Sequence, residues 1–180
     1  MIACLSITSF PLRVALRPRA DLAGIPVALA PAPGSPELIE AITVAAEEAG
    51  LRIGMRLGEA LATCPELVLL EQDPAGVAEA WEVILRQLED AGFEIEPLEP
   101  GFVLFDTAPV EPLAGGLQQA LERAMEAIDP RWQPSLGVAA RRFAAIAAAH
   151  VTTPGNILVV DDSETALFLE PLPLHLLPLS

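Results

Sequence analysis

The chain has 180 residues, 52% of them hydrophobic: enough for one core-forming domain or a domain with a small subdomain, and too apolar for a disordered protein. Its 25 acidic residues stand against 10 basic ones, all Arg, for a formal net charge of −15, a balance that repels polyanions and argues against strong autonomous DNA binding. No apolar run approaches membrane-spanning length and no basic-then-apolar leader opens the chain, so a cytoplasmic protein is expected.

The apolar run from Ile2 to Thr8 reads as a mostly buried strand holding Cys4, which with Cys64 is expected to be reduced and buried. Pro11, Pro18 and Pro26 then break the chain. Short strands are expected at Pro26–Ala30 and Glu37–Ile42, on either side of a Pro- and Gly-rich turn. Helices follow at Val44–Ala49, stopped by Gly50, and at Arg56–Thr63, ended before Pro65. Leu67–Leu70 reads as a short strand. Ala75–Ala91 is an amphipathic helix with Val77, Trp81, Ile84, Leu85 and Leu88 on one face, closed by Gly92. Phe93–Leu98 and Phe102–Asp106 flank Pro100-Gly101 as two strands and a tight turn. A second amphipathic helix is expected over Pro112–Ile128, with Leu113, Leu117, Leu121, Met125 and Ile128 along its stripe. Ser135–Ala139 reads as a strand, Arg141–His150 as a helix, Ile157–Val160 as a strand and Glu164–Leu169 as a helix capped by Ser163. The Pro- and Leu-rich ending, Pro171–Ser180, reads as extended; it is either an interaction surface or a segment packed back on the domain.

The strand at Ile2, the helix from Ala75, the two strands around Pro100, the helix from Pro112 and the strand at Ser135 give the order β-α-β-β-α-β. That is an α+β fold of ferredoxin-like type, with residues 11–65 inserted after the first strand.

The stretch Leu51 to Leu67, with Gly54-Met55 and Cys64-Pro65-Glu66-Leu67, resembles the fingers signature of Y-family (DinB/UmuC-type, translesion) DNA polymerases. Pro26-Val27-Ala28-Leu29, Glu96-Pro97-Leu98 with Leu104-Phe105-Asp106-Thr107, Ser135 to Ala139, Ile146-Ala147, Pro154-Gly155 and Phe168-Leu169 extend the likeness along nearly the whole chain. The resemblance implies a palm over residues 1–10 and 66–180 and a fingers-like insertion over 11–65. It also implies that relatives continue past this segment into a thumb and a little finger; ending at Ser180, the chain reads either as a naturally minimal protein or as a fragment.

Nucleotidyl transfer in that family uses two divalent ions held by carboxylates, and Mg²⁺ prefers charged oxygen ligands. At the positions matching the family acids this chain has Ser6 and Thr8 on the first strand, and Gly101 and Phe102 at the second acidic site. Pro11 stands where the family has its aromatic steric gate. Val44 and Glu47 stand where it has the Tyr and Arg that hold the triphosphate, and Glu47 would repel one. The implied protein is therefore a catalytically degenerate, ImuB-type member with no metal and no nucleotide site. Such a protein acts as a scaffold in DNA repair and damage-induced (SOS) mutagenesis, among a replicative-type polymerase, a RecA-like protein and the sliding clamp. Two alternatives stand beside it. One is an active polymerase using Mg²⁺, in which Asp106 and an acid such as Glu99 or Glu96 converge on the end of the first strand. The other is an unrelated ferredoxin-like regulatory domain, in which residues 11–65 join the main sheet layer.

Other residues carry weaker chemistry. Arg141 and Arg142 could contact a phosphate backbone or simply begin a solvated helix. Asp161, Asp162 and Glu164 read as a turn and helix start favoured by the helix dipole rather than a metal site. Glu94 and Glu96 alternate with Phe93 and Ile95 as the exposed face of a strand. His150 and His175 lack partners at metal-ligand spacing, and Ser6 and Ser9 have no base nearby in sequence.

Overall fold

The structure, a computed structural model, describes residues 1–172; the ending beyond, with His175, lies outside the described residues. The first half of the chain forms β1 (Ile2–Ser6), α1 (Phe10–Leu16), β2 (Val27–Leu29), α2 (Val44–Glu48), α3 (Leu57–Thr63), β3 (Val68–Leu70) and α4 (Pro74–Asp90). The second half forms β4 (Ile95–Glu99), β5 (Phe102–Asp106), α5 (Glu111–Ala114), α6 (Leu117–Ala127), β6 (Ser135–Ala139), α7 (Arg142–Val151), β7 (Ile157–Val160) and α8 (Thr165–Leu169).

Two compact units result: Met1–Thr8 with the chain from Trp81 onward, and Ser9–Ala80. The inserted unit is longer at both ends than the 11–65 read from sequence. Its far boundary moves because β3 pairs in parallel with β2, Val27 opposite Val68, rather than with the larger sheet.

The larger unit holds a five-stranded sheet ordered β4-β5-β1-β6-β7. Its first four strands are antiparallel and have the ferredoxin-like arrangement, with α4 and α6 as the two crossover helices. β7 extends the sheet in parallel with β6, and α7 is the crossover between them. Alternation along the strands divides the side chains between two faces. Cys4, Leu104, Ala139 and Val160 form one buried cluster with Ala144, Ala145, Ala148 and Ala149 of α7. The helix lies close because its contact face is alanine and its partner strand has Gly137. A Cβ built on Gly137 would come within 2.1 Å of the Ala149 nitrogen and 2.4 Å of the Ala145 carbonyl oxygen. Leu5, Val103 and Leu136 alternate with those residues and are fully buried on the other face.

The inserted unit builds its core from short elements. Ala28, Ile39, Ala46, Leu51, Ala60, Cys64 and Leu67 form one cluster, with Met55 and Leu57 packed against it. Leu12, Leu22, Val27, Leu29, Ala41 and Leu70 form a second. Thr43 ties this unit together: its hydroxyl oxygen accepts from the amides of Val27 (3.0 Å) and Ala46 (3.4 Å), the latter capping α2.

Three sequence expectations are corrected. Pro11 does not break the chain; it sits in the first turn of α1, where a missing amide hydrogen costs nothing. Residues 37–42 form isolated bridges, Ala28 with Ile42 and Leu38 with Arg56, rather than a strand. The single helix expected over Pro112–Ile128 is two, because Gly115 at φ 101° ends α5 and Gly116 at φ 130° starts α6 elsewhere. Leu113 therefore leaves the apolar stripe and is 83% exposed.

Candidate functional site

β1 pairs with β5 and β6 so that Ser6 lies opposite both Phe102 and Ser135. Ser6 is 1% exposed, and its hydroxyl is fully engaged. It donates to the Ala149 carbonyl near the end of α7 (3.1 Å) and shares a hydrogen bond with the Ser135 hydroxyl (2.8 Å). One residue on, the Ile7 amide donates to the Gly101 carbonyl at 2.8 Å, carrying the ladder past the strand end. Gly101 has φ 100°, which the two-residue turn between β4 and β5 requires and which a side-chain-bearing residue adopts only under strain. The Phe102 ring packs on His150, with centroids 4.7 Å apart. Thr8 is exposed.

The acids of this unit are dispersed. Glu96, opposite Leu104 on β4, accepts two hydrogen bonds from the Arg142 guanidinium, one of them at 2.7 Å. That pairing holds the Glu96 carboxyl below its ordinary range and raises Arg142. Asp106 pairs with Ile2, at the opposite end of β1 from Ser6. There its carboxylate accepts from the Ala108 amide at 3.0 Å and lies 3.6 Å from the Met1 ammonium. Thr107 donates to Glu111 at 2.6 Å beside it. Glu99 is exposed on β4, opposite Phe102 and so level with Ser6 two strands away.

The family model for impB/mucB/samB proteins (IMS) matches residues 5–150. The chain belongs to the impB/mucB/samB family. Among curated proteins it is 28% identical, over 162 residues, to DNA polymerase IV of Pseudomonas entomophila (strain L48), a match covering 89% of this chain and 46% of that protein. Its fold is that of solved Y-family polymerases. An insertion ternary complex of Dbh DNA polymerase superposes with a TM-score of 0.82 at 18% identity, covering 99% of this chain and 54% of that one. DinB from Sulfolobus solfataricus gives 0.80 at 18% identity, covering 99% and 53%. The chain thus spans about half the length of the relatives it matches. This membership removes the reading as an unrelated ferredoxin-like domain, and the separate β2-β3 sheet removes its structural corollary.

Family polymerases hold divalent ions with carboxylates, and the donor set at this strand end does not fit that task. Ser6 offers a hydroxyl already committed to a helix carbonyl, Gly101 offers no side chain, and Phe102 offers a ring. The convergence of Asp106 with Glu99 or Glu96 expected of an active enzyme with displaced acids does not occur: Glu99, opposite Phe102, is level with Ser6, but Asp106 is at the other end of β1 and Glu96 is bound to Arg142. Among the described residues, no three His, Cys, Asp or Glu side chains are placed to hold a metal ion.

The remaining sequence candidates are placed as follows. Arg142 carries Glu96, and Arg141 lies 3.6 Å from Asp162, so both exposed guanidiniums face carboxylates. In the inserted unit Pro11 lies in α1, Val44 opens α2 at 70% exposure, and Glu47 is exposed, its carbonyl accepting from Arg52 at 3.0 Å. Ser135, Gly137 and Glu96 are the residues whose roles the sequence hides. A serine and a glycine in a strand carry no signal until the register puts Ser135 beside Ser6 and Gly137 beneath α7, and nothing in the sequence pairs Glu96 with Arg142. No helix among the described residues is long and apolar enough to cross a membrane.

Proposed function

We propose that this chain is a palm-and-fingers module that has lost nucleotidyl transfer and serves as an ImuB-like, protein-binding accessory factor in DNA damage tolerance and induced mutagenesis, in the cytoplasm. The family membership supports the setting. One observation supports the loss of catalysis: Ser6, which the sequence resemblance sets at the first family acid, is buried with its hydroxyl bonded to the Ala149 carbonyl and to Ser135. Phosphoryl transfer relies on positioned metal and charge stabilisation. A hydroxyl turned into a helix end supplies neither. The partners follow from the family resemblance: a replicative-type polymerase, a RecA-like protein and the sliding clamp. A net charge of −15, with Arg141 and Arg142 facing acids, leaves the palm little phosphate-binding capacity.

Primer extension on an undamaged and an abasic template, with Mg²⁺ and then Mn²⁺, tests the reading. No extension above a protein-free control is expected, and calorimetry with Mn²⁺ and a deoxynucleotide should give no binding heat. Extension that disappears on Asp106→Asn or Glu99→Gln would restore the active-enzyme reading.

A further inference from the structure

The five-stranded sheet has two edges, and they are built differently. The outer edge β4 carries Glu96, Pro97 and Glu99, with a register shift between Pro97 and Glu99. Charge, proline and irregularity are the usual devices that keep an edge from pairing further. The other edge, β7, reads Ile157-Leu158-Val159-Val160 and has none of these. Its ladder geometry shows which groups are open. The Leu136 amide donates to the Asn156 carbonyl at 3.0 Å, and Leu136 lies opposite Ile157 in a parallel pair. Since main-chain groups alternate sides along a strand, Leu158 and Val160 turn theirs toward β6. Ile157 and Val159 turn theirs away from the sheet, and no strand pairs with them among the described residues. Val159 is 42% exposed.

Immediately beyond β7 come exposed Asp161, Asp162 and Glu164; among the described residues Asp162 alone of the three has a guanidinium within salt-bridge reach, Arg141 at 3.6 Å. We propose that the β7 edge receives an extended segment of a partner protein by strand addition, a segment with alternating apolar side chains and a basic residue at the end that meets Asp161 and Glu164. Backbone bonds to Ile157 and Val159 would supply attachment, the acids selectivity. A second copy of this chain is the poorer occupant, since each carries a net −15 and the same acids would meet. The proposal is independent of whether the chain extends primers.

The test uses the full chain and fluorescein-labelled twelve-residue peptides with a Val/Thr-alternating centre. Arg-Arg is placed at the N-terminal end, the C-terminal end or both, and Glu-Glu in matching controls. Anisotropy should show binding of Arg-ended peptides only. Amide exchange at Ile157 and Val159 should slow at least about tenfold on binding. A peptide N-methylated along one edge should not bind. Val159→Pro should abolish binding with the far-UV spectrum and urea midpoint of the parent, and Asp161→Asn should weaken it by about threefold at low salt. Asp161 makes no side-chain cap bond, so that variant spares the turn. The proposal is overturned if no peptide slows both amides, or if Glu-ended or N-methylated peptides bind equally. It is equally overturned if the two amides are already protected without peptide and become exposed on deleting residues 173–180 or on dilution, which would assign the edge to the chain's own ending or to a second copy.

Discussion

A serine at position 6 can donate to the Ala149 carbonyl; an ionised aspartate cannot, and would place a second oxygen against the first. Ser6 is 1% exposed, so Ser6→Asp buries a carboxyl among acceptors, with only the Ser135 hydroxyl to donate to it. Placing an acid at this position should therefore destabilise the protein, by about 3 kcal/mol at neutral pH. The pH dependence gives the sign. Burial favours the neutral form and lifts the folded-state pKa of the new carboxyl above its unfolded value of about 3.9. The unfolded chain then loses its proton first, and stability falls as pH rises from 4 to 7. Urea midpoints of wild type and variant at both pH values measure this. A variant as stable as wild type at pH 7, or one stabilised by Mn²⁺, would show that the strand end still opens to a metal. Gly101 resists an acid for a different reason: at φ 100° an aspartate there would be strained before any ligand arrived. The sequence made Ser6, Thr8, Gly101 and Phe102 legible because residue identity is local information. It did not reveal what holds Ser6, because Ser135 meets it only through the pairing of strands 129 residues apart.

At the scale of elements, hydrophobic periodicity located β1, α4, β5, β6, α7 and β7, since each buries a face long enough to leave a pattern. The failures share a cause. α1 was hidden because Pro11 has opposite meanings in a first turn and in a helix interior, and only the backbone decides between them. Residues 37–42 are a short, mostly apolar run of strand length, yet they pair with single residues on two different segments. The pairing of β3 with β2 was likewise invisible, as three apolar residues fit either sheet. The close approach of α7 to β6 gives a prediction of its own. Gly137→Ala places a methyl group 2.1 Å from the Ala149 nitrogen and 2.6 Å from the Ala148 carbonyl carbon, main-chain atoms that no rotamer change can move. Helix and strand must separate, and the Ser6 bond to Ala149 goes with them. A loss of about 3 kcal/mol or more is expected, at the upper end for overpacking. An unchanged urea midpoint for Gly137→Ala would mean that α7 does not rest on β6 as described, and that the Ser6–Ala149 bond lacks its support.

The whole molecule has an unusual titration, because its composition removes the groups that normally obscure alkaline behaviour. It has no Lys and no Tyr, and Arg stays protonated throughout. Between pH 9 and 12 the side chains left to titrate are Cys4 and Cys64, both buried. Burial pushes the Cys4 thiol from its ordinary 9.0 up to about 12, with the Arg142 charge pulling weakly the other way. Burial and the neighbouring Glu66 raise Cys64 as well. The unfolded chain loses its Cys4 proton near pH 9 while the folded chain keeps it, so the folded state binds more protons throughout this interval. Stability must then fall with rising pH, by roughly 1.4 kcal/mol per unit for one thiol and roughly 4 kcal/mol in all if Cys4 holds to about 12. Below pH 9 both states keep the proton and no Cys4 contribution to the slope exists. Cys4→Ala removes the main group and leaves the smaller dependence of Cys64. Urea unfolding of both proteins at pH 8, 9, 10 and 11, with reductant present, should show wild-type stability dropping steeply and the variant's curve clearly flatter. Parallel curves would show that the Cys4 thiolate is accommodated in the fold, and that the α7 face of the sheet is wetter than its alanine packing implies.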